Sequence, residues 1–147
     1  MDGGRTAVRV ATFGAFDLLH YGHMRLLARI AADADHLVVG LASDALIGAN
    51  GKSAPVYSYE IRREMLLHTR HVDEVVCHDA VPDGTGRVKL VQAKIDLVRT
   101  HAINAVVMGD DWQGHYDFLL PFCAVRYLPR TNGISTTLIR SAIAAGR

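Results

Sequence analysis

The stretch VRVATFGAFDLLHYGHMRLLARIAADADHLVVGLAS, residues 8–43, decides the architecture. Its opening, VRVATFG (8–14), has the composition of a strand, and Met24, Leu27, Ile30 and Ala31 recur at helical spacing through HMRLLARIAADA (23–34). HLVVGLAS (36–43) is a near-continuous apolar run of strand length, as expected of a strand covered on both faces. The alternation continues. A serine cap and a nearby glutamate open a helix at SYEIRREMLLHTR (58–70), followed by a strand at DEVVCH (73–78). KLVQAKIDLVRTH (89–101) is a helix, NAVVMG (104–109) and AVRYLP (124–129) are strands, and a closing helix starts near Ser135. DALIGANGKSAPVY (44–57), with Asn50-Gly51 and Pro55, reads as a loop at the edge of a site, and DAVPDGTG (79–86) as a second loop.

Five strands alternating with helices predict an α/β fold, a doubly wound parallel sheet with helices on both faces. Ligands in such folds bind outside the carboxyl ends of the strands, where the strand order reverses. That rule brings Gly14–His23, Gly109–Trp112 and Pro129–Thr137 to one rim.

The chain has 147 residues, half of them hydrophobic, which suits a single domain over 1–147 with its core at about 8–144. A formal charge of +1 leaves no basic stripe to bind nucleic acid and no polybasic surface for a membrane. The N-terminus shows no signal-peptide pattern and no apolar run is long enough to span a bilayer, so the expected location is the cytoplasm. Cys77 and Cys123 lack any C-x-x-C spacing and read as reduced, core or near-core thiols.

His20 and His23 fall where the first strand gives way to the first helix, three residues apart and able to share a face. The amides and dipole of a helix start favour anions, and Gly22 allows close approach. Together they suit a phosphate. A pair of core or cap histidines is one alternative, a structural cluster with Asp17 is another, and zinc is a third that lacks its third and fourth ligands. RTNGISTT (130–137) is a second anion-suited stretch, offering the Arg130 fork, Gly133 and the hydroxyls of Ser135, Thr136 and Thr137 at a helix start. Two such starts on one rim point to a nucleoside triphosphate.

Taken in order, GAFDLLHYGH (14–23), RHVDEVV (70–76), MGDDWQGHYDFL (108–119) and YLPRTNGISTT (127–137) resemble the H-x-G-H nucleotidyltransferases. The similarity is to the bacterial glycerol-3-phosphate cytidylyltransferases in particular, and runs from about Val8 to the C-terminus. The resemblance implies a Rossmann-like fold, a homodimer, and transfer of CMP from CTP to the phosphate of glycerol 3-phosphate, giving CDP-glycerol and pyrophosphate. Another small phosphoalcohol or phosphonate acceptor, or an ATP-dependent adenylyltransferase, is the alternative. Magnesium is expected, bound mainly through the CTP phosphates, with no dedicated protein metal site.

Carried over by position, His20, His23, Lys52 and Arg130 would be catalytic. Nearby anions would favour the protonated histidines. Gly14, Ala15, Phe16, Gly22, Gly109, Asp111, Trp112, Thr131, Ile134, Ser135 and Thr136 would bind the nucleotide, with Asp111 accepting from the cytosine amine. Asp17, Arg62, Arg70 and Asp73 would serve the acceptor side, Asp17 either orienting a histidine or helping to hold the acceptor, and the motif of Arg70 and Asp73 lying near the dimer contact as well. Three positions depart from the family: Ala15 replaces a threonine, Asn132 an acidic residue, and the segment around Lys52 carries one lysine where several are usual. Tyr116 is open between core and site, and His36, His101 and His115 are assigned no function.

Overall fold

Strand β1 (Arg9–Gly14) leads through a loop into α1 (Tyr21–Ala32) and back to β2 (His36–Ala42). Next come α2 (Asp44–Ala49), α3 (Tyr59–Leu67), β3 (Glu74–His78) and α4 (Leu90–Thr100). β4 (Ala105–Gly109), two 3-10 turns (Asp110–Trp112 and Asp117–Leu119), β5 (Ala124–Leu128) and α5 (Thr136–Ala144) complete the order. The structure, a computed structural model, describes residues 7–49, 51–79, 83–85, 90–129 and 135–146. All five predicted strands are present within one residue of their expected ends.

The sheet is parallel with order β3-β2-β1-β4-β5. Helices cover both faces. On one, Leu27 and Ile30 of α1 and Leu66 of α3 pack on Val10, Val39 and Leu41. On the other, Leu97 and Val98 of α4 pack on Ala11, Phe13, Val38 and Val106. This is why HLVVGLA carries no polar face: Leu37 to Leu41 are all buried, alternate side chains entering alternate cores.

The strand order reverses at β1, and there the sheet opens. β1 pairs with β2 along its full length, Arg9↔His36 to Gly14↔Leu41. It pairs with β4 only at Val10↔Ala105 and Ala11↔Val106. Beyond Ala11 the two strands part, and the sulfur of Met108 accepts from Phe13 N, a donor that pairing would have used, at 3.5 Å, and also from the Thr12 hydroxyl at 3.6 Å. A crevice at the carboxyl ends of β1 and β4 follows from that divergence.

Three expectations need correction. DALIGA is helix α2 and not loop: Ser43 Oγ accepts from Leu46 N at 3.0 Å, capping a turn whose Leu46 and Ile47 are buried. The first helix starts at Tyr21, two residues earlier than its apolar spacing indicates, because a histidine caps it. Cys77 is exposed on the edge strand β3, while Cys123 is half-buried, and both thiols are free.

Candidate active site

A cavity of about 790 Å³ lies over the crevice, within the size range of small-molecule sites. Its wall draws on the β1–α1 loop, the 51–55 segment, the end of β4 and the start of α5. Both strand-ending glycines are there to make room. A Cβ on Gly14 would lie 2.8 Å from the Phe16 ring, and one on Gly109 would lie 2.7 Å from Asp111 Oδ1.

The histidines form a capping box with imidazoles in place of the usual hydroxyl and carboxylate. His20, the N-cap, accepts from Gly22 N through Nδ1 at 3.0 Å, and His23 Nδ1 accepts from His20 N at 3.3 Å. The rings stack with centroids 3.8 Å apart. Because both Nδ1 atoms accept, the neutral rings carry their protons on Nε2. Two parallel imidazoles on the cavity wall thus keep their Nε2–H donors for a ligand. Burial lowers the pKa of both, and His23, also repelled by His20 against a smaller opposing pull from Asp17, is brought down to about 4. The pair is neutral in the ligand-free state, and phosphate would have to draw any protonation back.

The loop carrying them is strained. Phe16 and Leu18 have φ of 48° and 52°, values that non-glycine residues rarely adopt and that concentrate at functional sites. Between them Asp17, buried, turns its carboxylate to the 55–57 segment. Val56 N donates to Oδ2 at 2.6 Å, Tyr57 N to Oδ1 at 3.0 Å, and Arg140 of α5 to Oδ2 at 2.9 Å. Thr136 Oγ1 also donates to the Asp17 carbonyl at 3.1 Å. Burial alone would raise the carboxyl pKa, but the Tyr57 and Val56 amides and Arg140 outweigh it and hold Asp17 below its ordinary value. Neither alternative foreseen for Asp17 describes these contacts: the side chain joins three segments of the cavity wall.

Arg62 also differs from its expected place on the acceptor side. It is fully buried, with Nε donating to Tyr57 O at 3.0 Å and NH1 to Ala15 O at 2.8 Å and Ala42 O at 2.9 Å. NH2 meets Asp44 Oδ1 at 2.6 Å. It is a strut behind the site. Arg70 and Asp73 lie at the opposite, amino-end rim, where Asp73 Oδ2 accepts from Leu37 N at 2.8 Å and closes the β2–β3 ladder. Strand direction puts them out of reach of the cavity within one chain.

The other expected residues converge. Lys52 Nζ rests 5.9 Å from the centre of the Trp112 ring across the cavity mouth, and Asp111 is exposed beside it. Ala15, Phe16, Gly22, Ser135 and Thr136 line the wall, with Ser135 Oγ capping α5 at Leu138 N, 3.1 Å. Arg130, Thr131 and Ile134 lie outside the described residues, as do Asn132 and Gly133. Tyr116 is a core residue, buried against Phe13 and Phe118.

Sequence reading missed three cations. Arg140, on the cavity wall, falls one helical turn after Thr136, a spacing that would have found it. Lys94 sits over the Phe13 and Tyr116 rings and has its pKa lowered to about 8 by burial. Its signal was position, one turn before the buried Leu97 and Val98 on the apolar stripe of α4. Arg29, also on the cavity wall, donates through NH1 to Pro129 O at 2.6 Å.

A parallel sheet with this order, and a donor-lined crevice at its reversal point, define a nucleotidyltransferase-like α/β protein. Residues 11–142 match the family model described as "Cytidylyltransferase-like", and the chain belongs to that family. It is 45% identical over 136 residues to a glycerol-3-phosphate cytidylyltransferase of Bacillus subtilis (strain 168), covering 92% of this chain and 97% of that one. A protein of the same name from Staphylococcus aureus (strain NCTC 8325 / PS 47) is 42% identical over 135 residues, covering 92% and 94%. In fold, the chain is similar to the lipopolysaccharide core biosynthesis protein from Thermoplasma volcanium GSS1, with a TM-score of 0.64 at 20% identity over 86% of this chain and 100% of that one.

Two predictions test the geometry. Arg62→Met leaves the carbonyls of Ala15, Ala42 and Tyr57 without their donor, and unsatisfied buried groups cost about 1–3 kcal/mol each. A fall of several kcal/mol in unfolding free energy is expected, read from the urea midpoint, and a midpoint unchanged from wild type would refute the strut. His23 binds its proton less readily folded than unfolded, so its contribution to stability is complete above about 6.5 and is lost as pH falls toward about 4. Wild-type melting temperature should fall across that window. His23→Gln should flatten the fall but not abolish it, because buried His78 is likewise lowered to about 4.

Proposed function

We propose that the chain transfers CMP from CTP to the phosphate of glycerol 3-phosphate, releasing pyrophosphate and forming CDP-glycerol. The observation that carries this is the 45% identity to a glycerol-3-phosphate cytidylyltransferase over nearly the whole of both chains.

In the proposed reaction a phosphate oxygen of the acceptor forms a bond to the α-phosphorus while the bond to the α–β bridging oxygen breaks. The electron pair leaves on pyrophosphate. The nucleophile is already an anion, so no strong general base is needed, and rate comes from alignment and charge stabilisation. His20 and His23 donate from Nε2 to phosphate oxygens where charge shifts toward the leaving group. The two rings are held by their own backbone, so this donation requires little reorganisation. Lys52, on an exposed segment, and Arg130 neutralise the phosphates. Ser135 and Thr136 present the start of α5 to the nucleotide, with Gly14, Ala15, Phe16, Gly22, Gly109, Thr131 and Ile134 shaping its path. Asp111 takes the cytosine amine, with Trp112 packed nearby.

Magnesium bound through the triphosphate would draw charge from the phosphate oxygens. The two carboxylates at the cavity, Asp17 and Asp111, leave a cation to be carried mainly by the nucleotide, since Asp17 is already taken by the Val56 and Tyr57 amides and Arg140. The same reading makes the protein a cytoplasmic homodimer, with Arg70 and Asp73 on a rim left to contacts between copies. No helix among the described residues is long and apolar enough to cross a membrane.

Pyrophosphate release with magnesium, crossing CTP and ATP against glycerol 3-phosphate and a panel of small phosphates and phosphonates, tests the reading. Turnover is expected with CTP and glycerol 3-phosphate. Turnover with ATP alone would overturn the nucleotide assignment, and turnover only with another acceptor would overturn the assignment of glycerol 3-phosphate. His23→Ala should lower kcat about a hundredfold or more, the usual cost of one preorganised donor. Near-normal turnover in a folded variant would remove the histidines from the mechanism.

A further inference from the structure

Arg29 occupies a place in the cavity that the transfer chemistry leaves without a task. It lies six residues beyond His23 on α1, about 9 Å further along the helix axis, so it stands away from the phosphate-binding end. Its guanidinium leaves the helix and reaches the end of β5, donating to Pro129 O at 2.6 Å. Pro129 immediately precedes the RTNGISTT stretch. Arg29 also borders a smaller hollow, which it shares with Asp33 and Arg126 and which is otherwise walled by apolar side chains such as Val10, Ile30 and Val107. It therefore stands between the two hollows, a cation on the wall of each and well along α1 from the histidines.

We propose that Arg29 closes the base end of the cavity and is a specificity-determining residue, donating to the C2 carbonyl oxygen of cytosine. This rests on the reading of CTP as the nucleotide. A guanidinium has five N–H donors and no acceptor, and the bond to the Pro129 carbonyl holds one end of it while leaving further donors for a ligand. Cytosine offers a carbonyl oxygen. Adenine has none on its ring, so a half-buried guanidinium that cytosine would pair is left without that partner when adenine binds. With Asp111 accepting from the cytosine amine, the two side chains read opposite edges of one base.

The test is steady-state pyrophosphate release at saturating acceptor with CTP, ATP and 2-thio-CTP, whose sulfur is a much weaker acceptor than oxygen. Arg29→Met should raise KM for CTP about tenfold or more with kcat changed less than about threefold, and the CTP-to-ATP ratio of kcat/KM should fall by about tenfold. Wild type should discriminate against 2-thio-CTP, whereas Arg29→Met should not. Arg29→Lys should recover part of the loss. Asp33→Asn, which cuts the 3.9 Å contact to Arg126 on the same α1–β5 seam, should leave KM for CTP unchanged. Equal losses with CTP and ATP, or an unchanged KM for CTP in Arg29→Met, would overturn the assignment while CTP remains the wild-type substrate. A wild-type enzyme that uses ATP and not CTP would overturn the nucleotide reading itself and this inference with it.

Discussion

The site depends on one constraint in the sheet: β1 can keep its full ladder with only one neighbour. Parallel strands on either side of a reversal point carry their crossovers to opposite faces, so no crossover covers the gap between β1 and β4 at their carboxyl ends. Pairing with β4 stops at Ala11. The Met108 sulfur meets the Phe13 amide released there and the Thr12 hydroxyl, and a sulfur is a weak enough acceptor that the gap costs little to keep open and little to widen. Everything polar in the cavity is delivered to the margins of that gap.

Delivery uses the backbone twice over. The amides at the start of α1 need acceptors in any protein. Here the acceptors are His20 and His23, so the interactions that begin the helix also set which nitrogen of each ring faces outward. Asp17 does the corresponding work in the preceding loop. The left-handed backbone at Phe16 and Leu18 is unfavourable by about 1–3 kcal/mol per residue, and the carboxylate bonds to Val56, Tyr57 and Arg140 are what hold it. A site residue that also caps a helix or anchors a strained loop cannot be exchanged without moving its neighbours.

That double use explains how far the sequence could be read. The strands were legible because buried parallel strands leave unbroken apolar runs, and the site rim was legible because strand direction fixes which loops meet. Helix starts were less so: serine marks the N-cap position at residues 58 and 135, although only Ser135 makes the side-chain cap bond, whereas His20 does not resemble a cap and α1 begins two residues before its apolar spacing. Arg62 was assigned to the acceptor from its motif, because a short-range pattern does not show that three carbonyls from distant segments converge on one guanidinium. Arg70 and Asp73 do not reach the cavity of their own chain for the reason the others do, since they precede β3 and the cavity lies beyond its far end. Arg140 and Lys94 were missed although their helical spacing was available, each being one turn from a residue already singled out or already apolar.

Among the described residues, the cations of the cavity share a further property: each is engaged before any phosphate arrives. Arg140 lies against Asp17, Lys52 over the Trp112 ring, and Arg29 against the Pro129 carbonyl, while the two histidines are neutral. A cluster of free positive charges around one hollow would repel itself and destabilise the fold. Held this way, the charges need not be removed from water together when a triphosphate binds, because each exchanges one partner for another. Lys52 can make that exchange most readily, being exposed and held only by a ring face, a contact worth about 0.5–1 kcal/mol at an exposed site. Arg140 must leave a buried carboxylate that also anchors the 55–57 segment. Asp17 thus joins α5 to the 55–57 segment through one carboxylate, so the cation that is hardest to free is also the one tied to the cavity wall.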